Sequence, residues 1–166
     1  MLLQDSFALA GNIYDSGYRP DQLVVIWRGG APVGMAIHEF FCYKGIQTRQ
    51  VIIKAASYSG IGQRNEPRIE NIDTVLSVLE KDDDVLIIDD IYDTGSTVQA
   101  VRAHIAGNAG NVRIATLYLK KGNTVVPDYY LKEVEGWIVF PHELVDLTSD
   151  EIRAKDAYIH ALLHGS

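Results

Sequence analysis

The residues with the most evident chemistry lie in one stretch, VLIIDDIYDTGSTVQAV, which runs from Val85 to Val101. Four apolar residues lead directly into Asp89 and Asp90, and a third carboxylate, Asp93, follows three positions later. Burying neighbouring carboxylates is unfavourable unless a positive group shares the site. The stretch therefore predicts a ligand that offers a cation or hydroxyl groups to these carboxylates.

The second half of the stretch has the features of a phosphate-binding turn. It leads from an apolar run into a helix, whose first-turn N–H groups are unpaired and lie at the positive end of the helix dipole. Gly95 lets the backbone approach a ligand closely, and Thr94, Ser96 and Thr97 add hydroxyl donors. The lysine of a G-x-x-x-x-G-K-[ST] loop is missing, which excludes a P-loop nucleotide hydrolase.

The two halves together fit a ribose 5-phosphate. Its phosphate would lie on residues 93–97, while Asp89 and Asp90 would accept hydrogen bonds from two neighbouring hydroxyls or face a hard cation such as Mg2+. Asp93 is placed to handle a proton. The rival aspartyl-phosphatase motif, D-x-D-x-T, requires one residue between its carboxylates, whereas two residues separate Asp90 from Asp93.

Apolar runs alternating with amphipathic segments surround this stretch. The apolar runs predict strands at 23–27, 51–56, 85–88, 112–119 and 136–140. Helical periodicity predicts helices near 3–14, 33–41, 73–80, 98–105 and 149–163. Pro32 suits the first turn of the second helix, and Ser149 is a plausible cap for the last. The alternation indicates an α/β fold with a mainly parallel, twisted sheet and helices on both faces.

Ligands bind beyond the carboxyl ends of the strands in such sheets. Besides the acidic stretch, RGG (28–30) and KKG (120–122) fall at these ends. The polar segment 57–71 has two glycines, a proline and little periodicity, which favours a mobile functional loop over a connection without function.

Composition narrows the class of protein. The 166 residues fit a single domain, 1–166, and the net charge of −7 argues against general affinity for nucleic acid or anionic membranes. One cysteine excludes an internal disulfide, which suits a reducing cytoplasm. No apolar run approaches the ~20 residues of a membrane span. A cytoplasmic location is expected.

Several segments resemble the type I phosphoribosyltransferases, which bind 5-phosphoribosyl 1-diphosphate. VLIIDDIYDTGST is similar to their binding motif, YRPDQLVVIWRGGAPVG to their diphosphate-binding segment, and SYSGIGQRNEPRIE to their mobile catalytic loop. Ser57-Tyr58, Lys120 and Trp137 match features of the 6-oxopurine enzymes, and the small bacterial xanthine-guanine enzymes are most similar in length. Trp27 and His142 depart from the family pattern.

The resemblance implies purine salvage: a purine nitrogen displaces diphosphate from C1 of the ribose. Asp89 and Asp90 would hold the ribose hydroxyls, partly through Mg2+ and water. The implied 5-phosphate site is formed by Asp93, Thr94, Gly95, Ser96 and Thr97. Asp93 would also act as the general acid/base at N7 of the base.

The resemblance also implies contacts to the diphosphate and to the purine base. The implied diphosphate-binding residues are Arg28, Gly29, Ser57 and Tyr58. Lys120 would donate to the 6-oxo group, Trp137 would stack on the purine, and the backbone of Ile138 would contact the base edge. A small hood from about 120–145, with the N-terminal segment as a second contributor, and a homodimer or homotetramer are also implied. The alternatives are a regulator that binds phosphoribosyl diphosphate without turnover and a pyrimidine-specific relative.

Overall fold

The structure, a computed structural model, describes residues 2–165 except 57–58, 61–62, 65–66, 137 and 146. The strands are β1 (Gln22–Trp27), β2 (Arg49–Ala56), β3 (Ser59–Gly60), β4 (Gln63–Arg64), β5 (Arg68–Glu70), β6 (Asp84–Tyr92), β7 (Asn111–Lys120) and β8 (Tyr129–Val134). The helices are α1 (Leu2–Asp15), α2 (Gly30–Tyr43), α3 (Ile72–Val78), α4 (Ser96–Ile105), α5 (Ser149–Lys155) and α6 (Ala157–His164).

The main sheet has the strand order β5-β2-β1-β6-β7-β8. Its neighbours pair in parallel, apart from β5, which runs antiparallel to β2. Strand β6 therefore lies between β1 and β7, and the carboxyl ends of these three strands meet at one edge of the sheet. This arrangement confirms the predicted mainly parallel α/β fold.

Alternate residues of β6 face opposite sides of the sheet, as the period of two in a strand requires. Leu86 and Ile88 belong to a core shared with α1 and α2, whereas Val85 and Ile87 belong to a core shared with α3 and α4. Both faces are thus covered by helices, which explains why VLII is apolar at every position.

The predicted strand at 136–140 is wrong. Gly136 has φ +75, residues 138–140 form no strand, and the strand paired with β7 is β8, about six residues earlier along the chain. At the edge of the sheet, β8 is largely exposed and carries Lys132 and Glu133, so it has no apolar run to reveal it. Part of the predicted loop 57–71 also forms structure, since β5 pairs with β2.

The predicted C-terminal helix, 149–163, is two helices. Asp156 is extended between them (φ −158, ψ 107), and its Oδ1 accepts hydrogen bonds from the N–H groups of Tyr158 and Ile159 at 2.9 and 3.0 Å. The cap of α5 is Thr148 instead of Ser149, because Thr148 and Glu151 form a reciprocal capping box.

The chain divides into two compact units, residues 1–136 and 137–166. The first contains the sheet with α1 to α4, and the second contains α5 and α6. The assignment of 1–166 to one phosphoribosyltransferase domain with a hood stays a prediction. Over the part of the chain that the structure describes, no helix has the length and apolarity needed to cross a membrane.

Candidate active site

An open cavity of about 190 Å³ lies at the carboxyl end of β6. All of its lining comes from the end of β6, the following turn and the first turn of α4. The lining residues are Asp89, Asp90, Ile91, Asp93, Thr94, Gly95, Ser96, Thr97 and Val98. The structure therefore brings all seven residues predicted to bind the phosphoribosyl group to one cavity.

The turn at residues 93–97, called the phosphate turn below, depends on Gly95. This residue has φ +75, and a Cβ there would lie 2.1 Å from Cζ of the buried Tyr92 ring. The Tyr92 hydroxyl in turn accepts a hydrogen bond from Gln99 Nε2 at 3.2 Å. Glycine adopts this φ without strain and leaves room for the Tyr92 ring, so the conformation of the turn depends on glycine at this position.

Hydroxyl groups of the phosphate turn bond to each other and to the start of α4. Thr94 Oγ1 donates to Ser96 Oγ at 3.0 Å and accepts from the Ser96 N–H at 3.3 Å. The N-cap residue of α4, Gly95, has no side chain with which to cap the helix. The turn thus presents hydroxyls and a helix N-terminus to the cavity, a combination suited to an anion.

The adjacent acids Asp89 and Asp90 form the other half of the cavity. Asp90 is buried, with 8% of its surface exposed, and its N–H donates to Asp89 Oδ1 at 3.0 Å. Burial, together with the negative charge of Asp90, raises the pKa of Asp89 well above its usual range. A cation or a pair of hydroxyl donors would relieve this penalty, as the sequence predicts.

The donor set at the acids fits Mg2+ as a shared ion. Carboxylate oxygens are suitable ligands, and Mg2+ usually binds through one or two carboxylates together with water and substrate oxygens. Across the described ranges, no cluster of three or more His, Cys, Asp and Glu side chains is positioned to hold a metal ion. A cation here would therefore depend on ligand or water oxygens in addition to the protein.

The turn after β1 lies against the acidic pair. A Cβ at Gly29 would lie 2.2 Å from Asp90 Oδ2, and one at Gly30 would lie 2.4 Å from the Ile88 carbonyl oxygen. Arg28 is exposed and follows a cis peptide bond from Trp27. Two of the predicted diphosphate-binding residues, Arg28 and Gly29, are thus in the turn beside the cavity.

The two consecutive lysines at the end of β7 have different partners. Tyr92 pairs with Leu119 across β6 and β7, which places Asp93 beside Lys120. Lys120 Nζ lies 2.8 Å from Asp93 Oδ1, whereas Lys121 forms an ion pair with Glu135, the residue after β8. The structure therefore joins the predicted base-binding lysine, Lys120, to the predicted acid/base.

Sequence reasoning missed one side chain, Asn123. Its amide Nδ2 donates to the carbonyl oxygens of Asp93 and, at 2.9 Å, Lys120. The only local signal is the Gly-Asn pair at 122–123, which marks a turn but not its partners. Ser57, Tyr58 and Trp137 lie outside the described residues, and Ile138 belongs to the second compact unit.

A mainly parallel α/β sheet with an acidic pair and a turn suited to an anion at the carboxyl ends of its strands is the arrangement expected of the α/β proteins that bind sugar phosphates. Residues 2–147 match the model of the phosphoribosyl transferase domain family. The chain belongs to this family, which confirms the prediction from its motifs.

Several characterised proteins are similar to the chain. It is 27% identical over 160 residues to a xanthine-guanine phosphoribosyltransferase of Cereibacter sphaeroides, with 92% of this chain and 89% of that protein covered. It is 33% identical to the Chromohalobacter salexigens protein of the same name over 78 residues, which span 46% of that protein and 43% of this chain. The crystal structure of a purine phosphoribosyltransferase from Pyrococcus horikoshii matches with a TM-score of 0.68 and 29% identity over 87% of this chain and 90% of that one.

Proposed function

We propose that the protein transfers the 5-phosphoribosyl group from 5-phospho-α-D-ribose 1-diphosphate to a 6-oxopurine in purine salvage. The products would be diphosphate and the nucleoside 5′-monophosphate of xanthine, guanine or hypoxanthine. The observation that carries the proposal is that one cavity joins the phosphate turn to the acidic pair, while Asp93 in its lining is ion-paired to Lys120. Membership of the phosphoribosyl transferase domain family supports the transfer reaction, and similarity to a xanthine-guanine and a purine phosphoribosyltransferase supports the purine acceptor.

The two halves of the cavity would hold the two ends of the sugar phosphate. The 5-phosphate accepts hydrogen bonds from the hydroxyls and N–H groups of the phosphate turn. The ribose hydroxyls donate to Asp89 and Asp90, whose charge favours them as acceptors. The ligand therefore bridges an anion site and an acidic site that one small ion could not satisfy together.

The reaction joins a purine nitrogen to C1 of the ribose while the bond from C1 to the diphosphate oxygen breaks. Positive charge develops on the ribose as diphosphate departs with the bonding electrons. The carboxylates of Asp89 and Asp90 stabilise this charge. Asp93 takes the proton that the purine loses from N7, and Lys120 donates a hydrogen bond to the 6-oxo group.

Mg2+ fits the acidic pair through the oxygens of Asp89 and Asp90, partly through water. When bound there, the ion would neutralise negative charge on the diphosphate and the acids. The raised pKa of Asp89 supports this assignment, because a nearby cation would favour the charged carboxylate that burial and the Asp90 charge disfavour.

The proposal includes further contacts to the diphosphate and the base. Arg28 binds the diphosphate by charge and Gly29 by its N–H, with Ser57 and Tyr58 as further diphosphate contacts. The loop 57–68 closes over the reacting centre and keeps water from the ribose cation. Trp137 and the Ile138 backbone bind the base. We also propose a cytoplasmic location and a homodimeric or homotetrameric assembly.

One assay tests the proposed function. The protein is incubated with phosphoribosyl diphosphate, Mg2+ and, separately, xanthine, guanine, hypoxanthine, adenine, uracil or orotate, and nucleotide and diphosphate are quantified. Nucleotide is expected from one or more of the 6-oxopurines. Formation from pyrimidines alone would assign a pyrimidine enzyme, and binding of phosphoribosyl diphosphate without any release of diphosphate would assign a sensor; either result contradicts the proposal.

A further inference from the structure

Asp93 and Lys120, the two residues proposed to contact the purine at N7 and O6, come from the ends of two neighbouring strands. Asp93 belongs to the turn after β6, and Lys120 is the last residue of β7. Ladder hydrogen bonds fix the strands themselves, because Tyr92 and Leu119 pair across them. The β6–β7 ladder ends at this pair, so a backbone contact beyond it would hold Asp93 to the end of β7.

Asn123 supplies that contact. After β7, Gly122 adopts φ +94 and the chain reverses, which returns Asn123 to the end of the strand. Its single NH2 group donates to both the Asp93 carbonyl and the Lys120 carbonyl. An amide NH2 has two protons, so one side chain can donate one proton to each of the two carbonyl groups. Asn123 is half-buried, and its bond to the Lys120 carbonyl is partly shielded from solvent.

We propose that Asn123 is a positioning residue for the transfer reaction: it ties the backbone of Asp93 to the end of β7 and so sets the acid/base and Lys120 at a fixed separation. The proposal rests on the proposed function for its kinetic consequence. It adds to the ion pair, because the ion pair joins side-chain ends that a purine would separate, whereas Asn123 joins backbone groups that remain joined when a purine binds.

The chemistry of the site distinguishes asparagine from its isosteric acid. Both partners of Nδ2 are carbonyl oxygens, which only accept hydrogen bonds. In Asn123→Asp, a carboxylate oxygen would face these two acceptors, so both bonds would become repulsive contacts with almost no change in shape. Asn123→Ala removes the bonds without adding charge.

The kinetic test compares Asn123→Ala and Asn123→Asp with the wild-type enzyme. We expect kcat to fall by about 10- to 100-fold, the loss that a displacement near 1 Å can cause. The KM for phosphoribosyl diphosphate should stay within about threefold, because α4 holds the phosphate turn from the other side. Matched controls are Asn108→Ala and Asn108→Asp, at an exposed position after α4 that is outside the cavity lining. Unchanged kcat in both Asn123 variants, or equal losses at Asn108, would overturn the proposal.

A spectroscopic test is independent of turnover. In wild-type protein, two-dimensional NMR should show couplings across hydrogen bonds from the Asn123 side-chain nitrogen to the carbonyl carbons of Asp93 and Lys120. In Asn123→Asp, amide signals of residues 93–95 should shift along with those of 120–125, but not in Asn108→Asp. Shifts confined to 120–125 would disprove the positioning role even if the wild type forms no nucleotide. A wild type that lacks activity but shows the couplings would disprove the proposed function alone.

Discussion

Lys120 Nζ lies 2.8 Å from Asp93 Oδ1, so the two groups proposed to serve the purine are partners of each other. The side chains remain 34% and 53% exposed, and an ion pair with this exposure contributes only about 0–1 kcal/mol. A 6-oxopurine presents O6 and N7 side by side on one edge. The base can therefore replace the ion pair with two contacts at small cost, Lys120 to O6 and Asp93 to N7.

Replacing Lys120 with alanine should weaken use of the purine. Loss of one charged hydrogen-bond donor costs about 1.5–3 kcal/mol, which corresponds to a ~10- to 100-fold lower kcat/KM for the base. The effect on KM for phosphoribosyl diphosphate should be smaller, since Lys120 is outside the phosphate turn. Initial rates measured with each substrate varied in turn would separate the two effects.

Lys121→Ala is the matched control, because it removes an identical side chain one position along. Lys121 pairs with Glu135, and both side chains are mostly exposed. Its removal should change kcat/KM for the purine by less than about twofold. If the two variants were equally impaired, the assignment of Lys120 to the base would be wrong.

Asp93→Asn should separate chemistry from binding. The substitution keeps the shape of the side chain but removes the proton acceptor, and general acid/base groups contribute about 100- to 10,000-fold in rate. We expect kcat to fall within that range, while the affinity for phosphoribosyl diphosphate, measured by calorimetry, largely survives. Turnover equal to that of the wild type would refute the assigned role.

How far the sequence predicts the site depends on whether a contact is local. The acidic pair and the phosphate turn are predictable because residues 89–97 are contiguous, so a strand followed by a helix is enough to bring them to one cavity. Asn123 is not predictable, because its acceptors depend on the alignment of β6 with β7, and Asp93 lies thirty residues away along the chain.

The errors in the predicted strands and helix cap have a related physical origin. The pattern of hydrophobic residues in a sequence indicates which segments are buried. It therefore predicts the buried central strand β6 but not the more exposed edge strand β8. The apolar run near 138–140 reflects burial of Phe140 without strand structure. At α5, Thr148 and Ser149 are chemically equivalent caps, and the choice depends on which of them has Glu three residues later.

Gly29→Ala should disrupt the acidic pair from outside the motif. A Cβ at this position would lie 2.2 to 2.5 Å from all three atoms of the Asp90 carboxylate group, so the carboxylate must move. We expect a KM for phosphoribosyl diphosphate raised by about tenfold or more, and a lower melting temperature. Steady-state kinetics and thermal unfolding monitored by circular dichroism would measure both effects.

Gly11→Ala provides the contrast for this substitution. Gly11 lies inside α1, and its Cβ would meet only Phe40 Cζ at 4.0 Å, an ordinary contact. Alanine in a helix interior is favoured over glycine by about 0.5–1 kcal/mol, so this variant should be slightly more stable and fully active. Equal kinetic damage from both substitutions would contradict a specific clash between residue 29 and Asp90.

The raised pKa of Asp89 makes the stability of the folded protein depend on pH. Its pKa is raised above the ordinary value of 3.8, chiefly by burial and then by the charge of Asp90. At pH values between 3.8 and the raised pKa, Asp89 keeps its proton in the folded protein but releases it in the unfolded chain. Raising the pH through this window therefore favours the unfolded chain and lowers the free energy of unfolding.

Asp89→Asn should remove this dependence, because an amide has no proton to lose. The variant should be more stable than the wild type at neutral pH, by about 1.4 kcal/mol for each unit of the pKa shift, and the difference should vanish as the pH falls toward ~4. Urea unfolding at a series of pH values from about 4 to about 8, without Mg2+, measures the difference. Asp82→Asn, at an exposed acid in the turn before β6, should show no such gain at neutral pH. A stability gain of Asp89→Asn that is constant across the pH range would mean that ionisation of Asp89 does not lower the free energy of unfolding.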